Sequence, residues 1–425
     1  MGKDNKKMPG LLALSPIVVF LVVYLVSSLM AGDFYKVPVS SAFLIASVYA
    51  VAITPGRLTH RVSVFSESAG HWNIMLMVWI FMLAGAFAGS AREIGSVQAT
   101  VNFTLSIVPA KALLAGLFLT ACFVSLAIGT SVGTIVALVP IANGIAAETG
   151  MSQAMMAALI VGGSFFGDNL SFISDTTIAA TRAVGCAMKD KFRANFMLVL
   201  PAVLLVTGFY IYKGLSLNAT SDTAPIEWLK LIPYISVIVL ALFGLDVTMV
   251  LVIGILLNAV VGIATGSLDW FTLLGSMGQG IAGMGDLIIV TLLAGGMLGV
   301  IRNNGGLEFI INGISRHVHG RRGAEFGIGL LTSLANFCTA NNTIAIITVG
   351  SIVNDISDQY GIPKRRAASL MDIFSCFVQG IIPYGAQLLM AAGLTGLGTT
   401  QIIPYLYYPF AVGICVLLSI VFKKR

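Results

Sequence analysis

Long apolar runs alternate with short polar breaks along this chain, and the runs show no period-two alternation. Runs of about 20 apolar residues suit helices that cross a bilayer, which also tolerate internal Gly and Pro. The pattern predicts segments near 11–31, 38–56, 72–91, 104–128, 133–148, 152–180 and 194–213. It predicts a second set near 228–243, 247–265, 284–301, 323–338, 342–358, 366–390 and 403–422. Polar residues interrupt 152–180 and 366–390, and the pairs within 104–148 and 323–358 read either as full crossings or as re-entrant hairpins. The expected fold is an all-α polytopic membrane protein of about 12–14 segments, with broken helices or hairpins at the midplane.

Composition agrees: 57% of residues are hydrophobic and 10% charged, against about 25% charged in soluble domains. Lys3, Lys6 and Lys7 precede the first apolar run and imitate a leader, but the run to Met30 is long and lacks a clear small-x-small site. It reads as the first span. The net charge of +6 sits in clusters between apolar runs, which orients a membrane protein and is no nucleic-acid footprint. Five cysteines in or near apolar segments read as small buried hydrophobes.

The chain resembles itself at long range. Leu83-Ala84-Gly85-Ala86-Phe87-Ala88-Gly89 recurs as Leu293-Ala294-Gly295-Gly296-Met297-Leu298-Gly299, and the same offset of 210 sets Arg92 on Arg302 and Gly95 on Gly305. Gly150 meets Gly361 at 211. Basic clusters then separate the halves. Arg57–Arg61 and Arg182, Lys189, Lys191 and Arg193 have no basic mates, whereas Arg302–Arg322 and Lys364–Arg366 have few. Because Lys and Arg favour cytoplasmic loops, this anti-symmetry predicts inverted repeats, 1–213 and 227–425, joined by an external linker at 214–226. Both termini are then cytoplasmic.

Two corresponding regions carry polar residues inside apolar stretches. In the first half, Thr130, Ser131 and Thr134 form one break; Asp168, Asn169, Ser171, Ser174, Asp175, Thr176 and Thr177 form another. Their mates are Asn341, Asn342 and Thr343, then Gln379, Tyr384 and Gln387 around Pro383. Broken helices free carbonyls for a cation and half-helix N-termini for an anion. Asp168 and Asp175 share a face if the helix continues between them. A carboxylate at that depth is paired, protonated or cation-bound, or else it caps a helix. Asp372 lies in line with Ser375 and Gln379, or salt-bridges toward Lys364–Arg366; Asp246 and Asp286 read as helix caps. His317 and His319 read as solvated loop residues. Walker A, kinase, HExxH and paired CxxC motifs do not occur, so neither ATP-driven transport nor an enzyme is suggested.

These residues carry a resemblance to the NhaC-type sodium/proton antiporter family. Gly167-Asp168, Leu170-Ser171 and Ser174-Asp175-Thr176-Thr177 resemble its G-D-x-x-S-P-x-S-D-T-T segment. Gly129–Thr134 is similar to its G-[ST]-S-x-G-T, Thr339-Ala340-Asn341 to its T-A-N, and Ile382-Pro383-Tyr384 to its I-P-W. Phe172 stands where the family has Pro, and Tyr384 where it has Trp. The resemblance implies Na⁺/H⁺ antiport by alternating access, with Asp168 and Asp175 binding Na⁺ or H⁺ in turn. Na⁺ and H⁺ are then the transported or coupling ions, with no cofactor and no nucleic acid. The setting is the lipid bilayer of a bacterial inner membrane, with a homodimer expected by analogy. The departures around 384–387 leave a second reading: a Na⁺- or H⁺-coupled carrier of a small carboxylate or amino acid, its body read by Tyr384 and Gln387.

Overall fold

The structure is a computed structural model that describes residues 10–30, 37–171, 174–216, 225–315 and 319–422. Its first half runs α1 (Gly10–Met30), α2 (Val39–Ile53), α3 (Leu58–Ala69), α4 (Trp72–Glu93), α5 (Ser96–Ile107), α6 (Leu113–Ile128), α7 (Ser131–Thr149), α8 (Gln153–Leu170), α9 (Asp175–Val184) and α10 (Met188–Leu215). The second runs α11 (Trp228–Leu242), α12 (Val247–Ala264), α13 (Trp270–Gly283), α14 (Gly285–Asn303), α15 (Gly306–Ser315), α16 (Gly320–Thr339), α17 (Asn342–Gln359), α18 (Lys364–Ile381), α19 (Ala386–Thr395), α20 (Thr399–Ile402) and α21 (Tyr407–Phe422). Among the described residues there is no strand.

Among the described residues, eight helical stretches are long and apolar enough to cross a membrane; a pair bent by 54°, Thr399–Tyr405 with Tyr407–Phe422, makes a ninth. Each interrupted helix, Gln153–Val184 and Lys364–Thr395, counts as one stretch. Three shorter apolar helices (Gly10–Tyr24, Val39–Ile53 and Trp228–Leu242) fall at expected segments. The two remaining expected segments, α16 and α17, are long but less apolar. Arg321, Arg322 and Glu325 begin the one, and Asp355 and Asp358 end the other, so their apolar stretch is short. The sequence pattern also overlooks α3, α13 and α15, which lie between the apolar runs. Asp246 and Asp269 cap their helices, accepting from Thr248 N at 2.8 Å and Thr272 N at 2.7 Å. The Thr272 bonds hold the exposed Asp269 carboxyl below the usual carboxylate range.

Local geometry recurs at a constant offset. Helices α8 and α18 are both 18 residues long and start at Gln153 and Lys364, 211 apart; α9 and α19 are both 10 residues long and start at Asp175 and Ala386, again 211 apart. Between α6 and α7, Gly129 is left-handed (φ 77°) and Thr130 extended. Ala340 (φ 49°) and Asn341 repeat that turn between α16 and α17. Among the described residues, Ala340 is the non-glycine residue held in the left-handed region, a conformation that costs roughly 1 kcal/mol or more. Side chains repeat too. Ser125 Oγ donates to Ser164 O at 2.5 Å, tying α6 to α8, and its mate Asn336 donates from Nδ2 to Ser375 O at 2.7 Å, tying α16 to α18.

The halves interleave, and their cross-contacts come in exchanged pairs: α7 with α19 and α17 with α9, α4 with α13 and α14 with α3, α4 with α12 and α14 with α2. The repeated glycines explain one of these exchanges. A Cβ on Gly280 would collide with the Gly85 carbonyl, and one on Gly89 with the Ser276 carbonyl, so α4 and α13 touch backbone to backbone. Gly280→Val is expected to cost about 1–3 kcal/mol by overpacking. A thermal melt of the purified variant checks this; an unchanged melting temperature would mean that the helices can part there without loss.

Candidate functional site

The most polar part of the interior lies where α8 ends. Asp168 and Asn169 sit in the last turn of α8, both buried, and the helix stops at Leu170. The chain resumes as helix at Asp175, with Ser171 and Ser174 extended between; in the second half α18 ends at Ile381 and α19 begins at Ala386. Phe172 and Ile173 lie outside the described residues.

Asp168 faces the start of α7. Its Oδ1 accepts from Ser131 N at 3.2 Å, at a helix N-terminus whose unpaired N–H groups favour an anion. Its backbone carbonyl accepts from Thr176 Oγ1 at 3.1 Å, and Thr176 also shares a hydrogen bond with Ser174 at 2.8 Å. Ser131 Oγ accepts from Gln387 Nε2 at 2.9 Å, and Gln387 Oε1 accepts from Gln379 Nε2 at 3.0 Å. Gln379 Nε2 also donates to the carbonyl of left-handed Ala340 at 3.1 Å, while its own Oε1 is buried with no partner among the described residues. This line of polar groups crosses from one half to the other.

The second line starts at Asn169. Its Nδ2 donates to Asp372 Oδ2 at 3.3 Å, and its Oδ1 accepts from the Tyr408 hydroxyl at 3.0 Å. Lys191 points into the same centre, 1% exposed. Its ammonium donates to Thr177 Oγ1 (2.6 Å) and Asn169 O (2.9 Å) and pairs with Asp372 Oδ2 at 3.0 Å. All three of its protons are used, and the cation sits at the C-terminal end of α8, where the helix dipole favours it. Asn195, one turn along α10, donates to both Asn169 O (2.7 Å) and Asp372 Oδ2 (2.6 Å). Asp372 Oδ1 and Asn195 Oδ1 are buried without partners among the described residues.

Several expectations need correction. Lys191 belongs to a buried ion pair, and the helix that carries it starts at Met188, not near 194, so its charge does not orient a loop. Asp372 pairs with this lysine; Arg366 pairs with Glu325 at 2.8 Å and Lys364 with Asp358 at 2.5 Å. Asp175 does not join Asp168 in the interior. It is the exposed first residue of α9, because the helix that would have stacked the two carboxylates is broken between them. It lines an open cleft of about 420 Å³ with Arg182, Thr343 and Ser351. Tyr384 is buried, but its hydroxyl donates to Phe337 O at 2.9 Å and its ring meets Phe20 and Phe43 edge-on, so it is engaged in packing. Asn341 caps its own helix through Ile344 N at 2.9 Å, Asn342 donates to Cys376 Sγ, and Thr130 contributes its carbonyl to Thr134. Lys191, Asn195 and Tyr408 are the residues overlooked. The four-residue step from Lys191 to Asn195 places both on one helical face, which is the signal that could have found them.

A family model described as the Na⁺/H⁺ antiporter family matches residues 6–215 and 221–423. The chain is 24% identical to a malate-2H⁺/Na⁺-lactate antiporter of Bacillus subtilis, over 94% of this chain and 93% of that protein. It is 23% identical to the Na⁺/H⁺ antiporter NhaC of Alkalihalophilus pseudofirmus, over 78% of this chain and 79% of that protein. Among solved structures, the YdaH transporter of Alcanivorax borkumensis aligns with 85% of this chain and 88% of its own, with a TM-score of 0.42 at 16% identity.

Proposed function

The chain belongs to the Na⁺/H⁺ antiporter family of polytopic membrane transporters, and we propose that it exchanges Na⁺ for H⁺ by alternating access, with Asp168 as the carboxylate that the two cations share. The observation that carries the proposal is the contrast between the two buried carboxylates. Lys191 neutralises Asp372, whereas no Lys or Arg pairs with Asp168 among the described residues. A carboxylate buried without a cationic residue holds a proton or a metal cation. Competition for one such group gives exchange without a second pathway. Na⁺ prefers oxygen ligands, and Gln379 Oε1, Asn195 Oδ1 and Asp372 Oδ1 are unengaged oxygens in the network around Asp168.

Asp175 takes a different part in this reading. As an exposed carboxylate in the cleft between α9 and α17 it gathers cations on their way in. The exchanged helix pairs and the 211-residue recurrence support two inverted repeats, 1–213 and 227–425, rocking about a site at their interface in a bacterial cytoplasmic membrane, with both termini inside. A second reading, coupled exchange of small organic acids, is favoured by the likeness to the malate/lactate antiporter.

Proteoliposomes loaded with a fluorescent pH reporter and free of organic solute separate the two readings. Adding Na⁺ is expected to collapse an imposed pH gradient. Where protons occupy the site, each unit drop in pH is expected to raise the Na⁺ concentration needed for half-maximal response about tenfold. A response that requires added malate or lactate would replace the first reading with the second.

A further inference from the structure

We infer that the groove between the start of α10, the start of α18 and the end of α21 binds an anionic phospholipid. The groove measures about 650 Å³, and its lining includes Arg193, Arg365, Arg366, Met197, Leu418 and Phe422. Arg366 is committed to Glu325 and Ser419. Arg193 and Arg365 are exposed, and neither has an ion pair or hydrogen bond among the described residues. The neighbouring acidic groups do not answer them: Asp358 is taken by Lys364 and Glu325 by Arg366, and among the described residues neither Asp190 nor Asp355 forms an ion pair with either arginine. The sequence continues past Phe422 with Lys423, Lys424 and Arg425. Two unpaired guanidinium groups at one rim of an apolar groove are a receptor for a phosphodiester, because each presents a fork of donors to phosphate oxygens.

The walls specify a lipid over a soluble anion. Met197 and Phe422 are each 73% exposed. Below them Leu204 and Leu205 on α10 and Leu418 and Ile414 on α21 continue the apolar surface along two helices that pack together. An acyl chain laid on that seam puts its headgroup at the arginines, near the membrane interface where anionic lipids attract basic side chains. The position also bears on the ion site. Arg193 lies two residues beyond Lys191, and Arg365 lies at the start of the helix that holds Asp372. A phosphate held between them ties together the starts of the two helices, α10 and α18, that carry the buried pair.

The test uses the full chain in neutral detergent, with dioleoylphosphatidylglycerol or dioleoylphosphatidylcholine added and retention read by native mass spectrometry alongside thermal shift. The wild type is expected to retain phosphatidylglycerol preferentially and to melt higher with it. The double variant Arg193→Gln/Arg365→Gln is expected to lose that preference, at roughly fivefold per arginine, and Arg193→Lys/Arg365→Lys to keep part of it. Equal retention of both lipids by the wild type, or an undiminished preference in the glutamine variant, overturns the inference. So does full stabilisation by glycerol 3-phosphate alone, which would make the groove a site for free anions. None of these readings depends on whether Na⁺ is the cargo.

Discussion

Asp168→Asn is expected to abolish Na⁺-driven proton movement, a loss of about 100-fold or more, while leaving a folded protein. The amide keeps an oxygen for the Ser131 N–H that the carboxylate now accepts at 3.2 Å, so the cap on α7 survives. What disappears is the only property that exchange requires, a charge that H⁺ and Na⁺ can neutralise in turn. A loss of 100-fold corresponds to about 2.7 kcal/mol of preference for the bound cation. Stability should hold or rise, since a buried ionisable group without a cationic partner is replaced by a neutral one. Na⁺-dependent thermal stabilisation should vanish with transport. By contrast, Asp175→Asn removes an exposed charge and should shift the half-saturating Na⁺ concentration by only a few fold at low salt. If Asp168→Asn still collapses a pH gradient on addition of Na⁺, the exchanging carboxylate is another one, and Asp372 becomes the first candidate.

The all-helical membrane class, most of the apolar runs and the two interrupted helices were legible in the sequence, because each rests on local chemistry: apolar run length, and polar residues where a helix stops. The ion pair was not. Lys191 stands among Arg182, Lys189 and Arg193, and a run of basic residues reads as a cytoplasmic loop when the helix start is set several residues late. Its partner Asp372 is 181 residues further on, on a helix that also starts with three basic residues, so a local salt bridge was the nearer explanation. Pairing across the halves depends on how they interleave, which no local pattern encodes. The placing of Asp175 was hidden for the opposite reason. Its spacing from Asp168 puts both on one face only along a continuous helix, and α8 ends at Leu170, with α9 starting anew at Asp175. Tyr384 sits beside the second break, yet burial of its hydroxyl required an acceptor and it took the Phe337 carbonyl.

Lys191→Met should cost about 3–5 kcal/mol of stability, the loss typical when one partner of a buried ion pair is removed and the other charge is stranded. Asp372 would then keep its bonds from Asn195 and Asn169 but face no cation, and the carbonyl of Asn169 would lose its strongest donor. Asp372→Asn alone leaves Lys191 buried and charged, with the same direction of effect. The double variant Lys191→Met/Asp372→Asn strands neither charge and should recover most of the stability, so a cycle of melting or denaturant measurements reads a coupling of at least about 1 kcal/mol. Transport then decides what the pair is for. If it is a permanent clamp joining α8, α10 and α18, the folded double variant should exchange Na⁺ for H⁺ within about tenfold of wild type, because Asp168 is untouched. A double variant that melts like the wild type but no longer exchanges would move Asp372 from the frame of the site into its chemistry. That result would also explain why one of its oxygens is left without a partner in the resting arrangement.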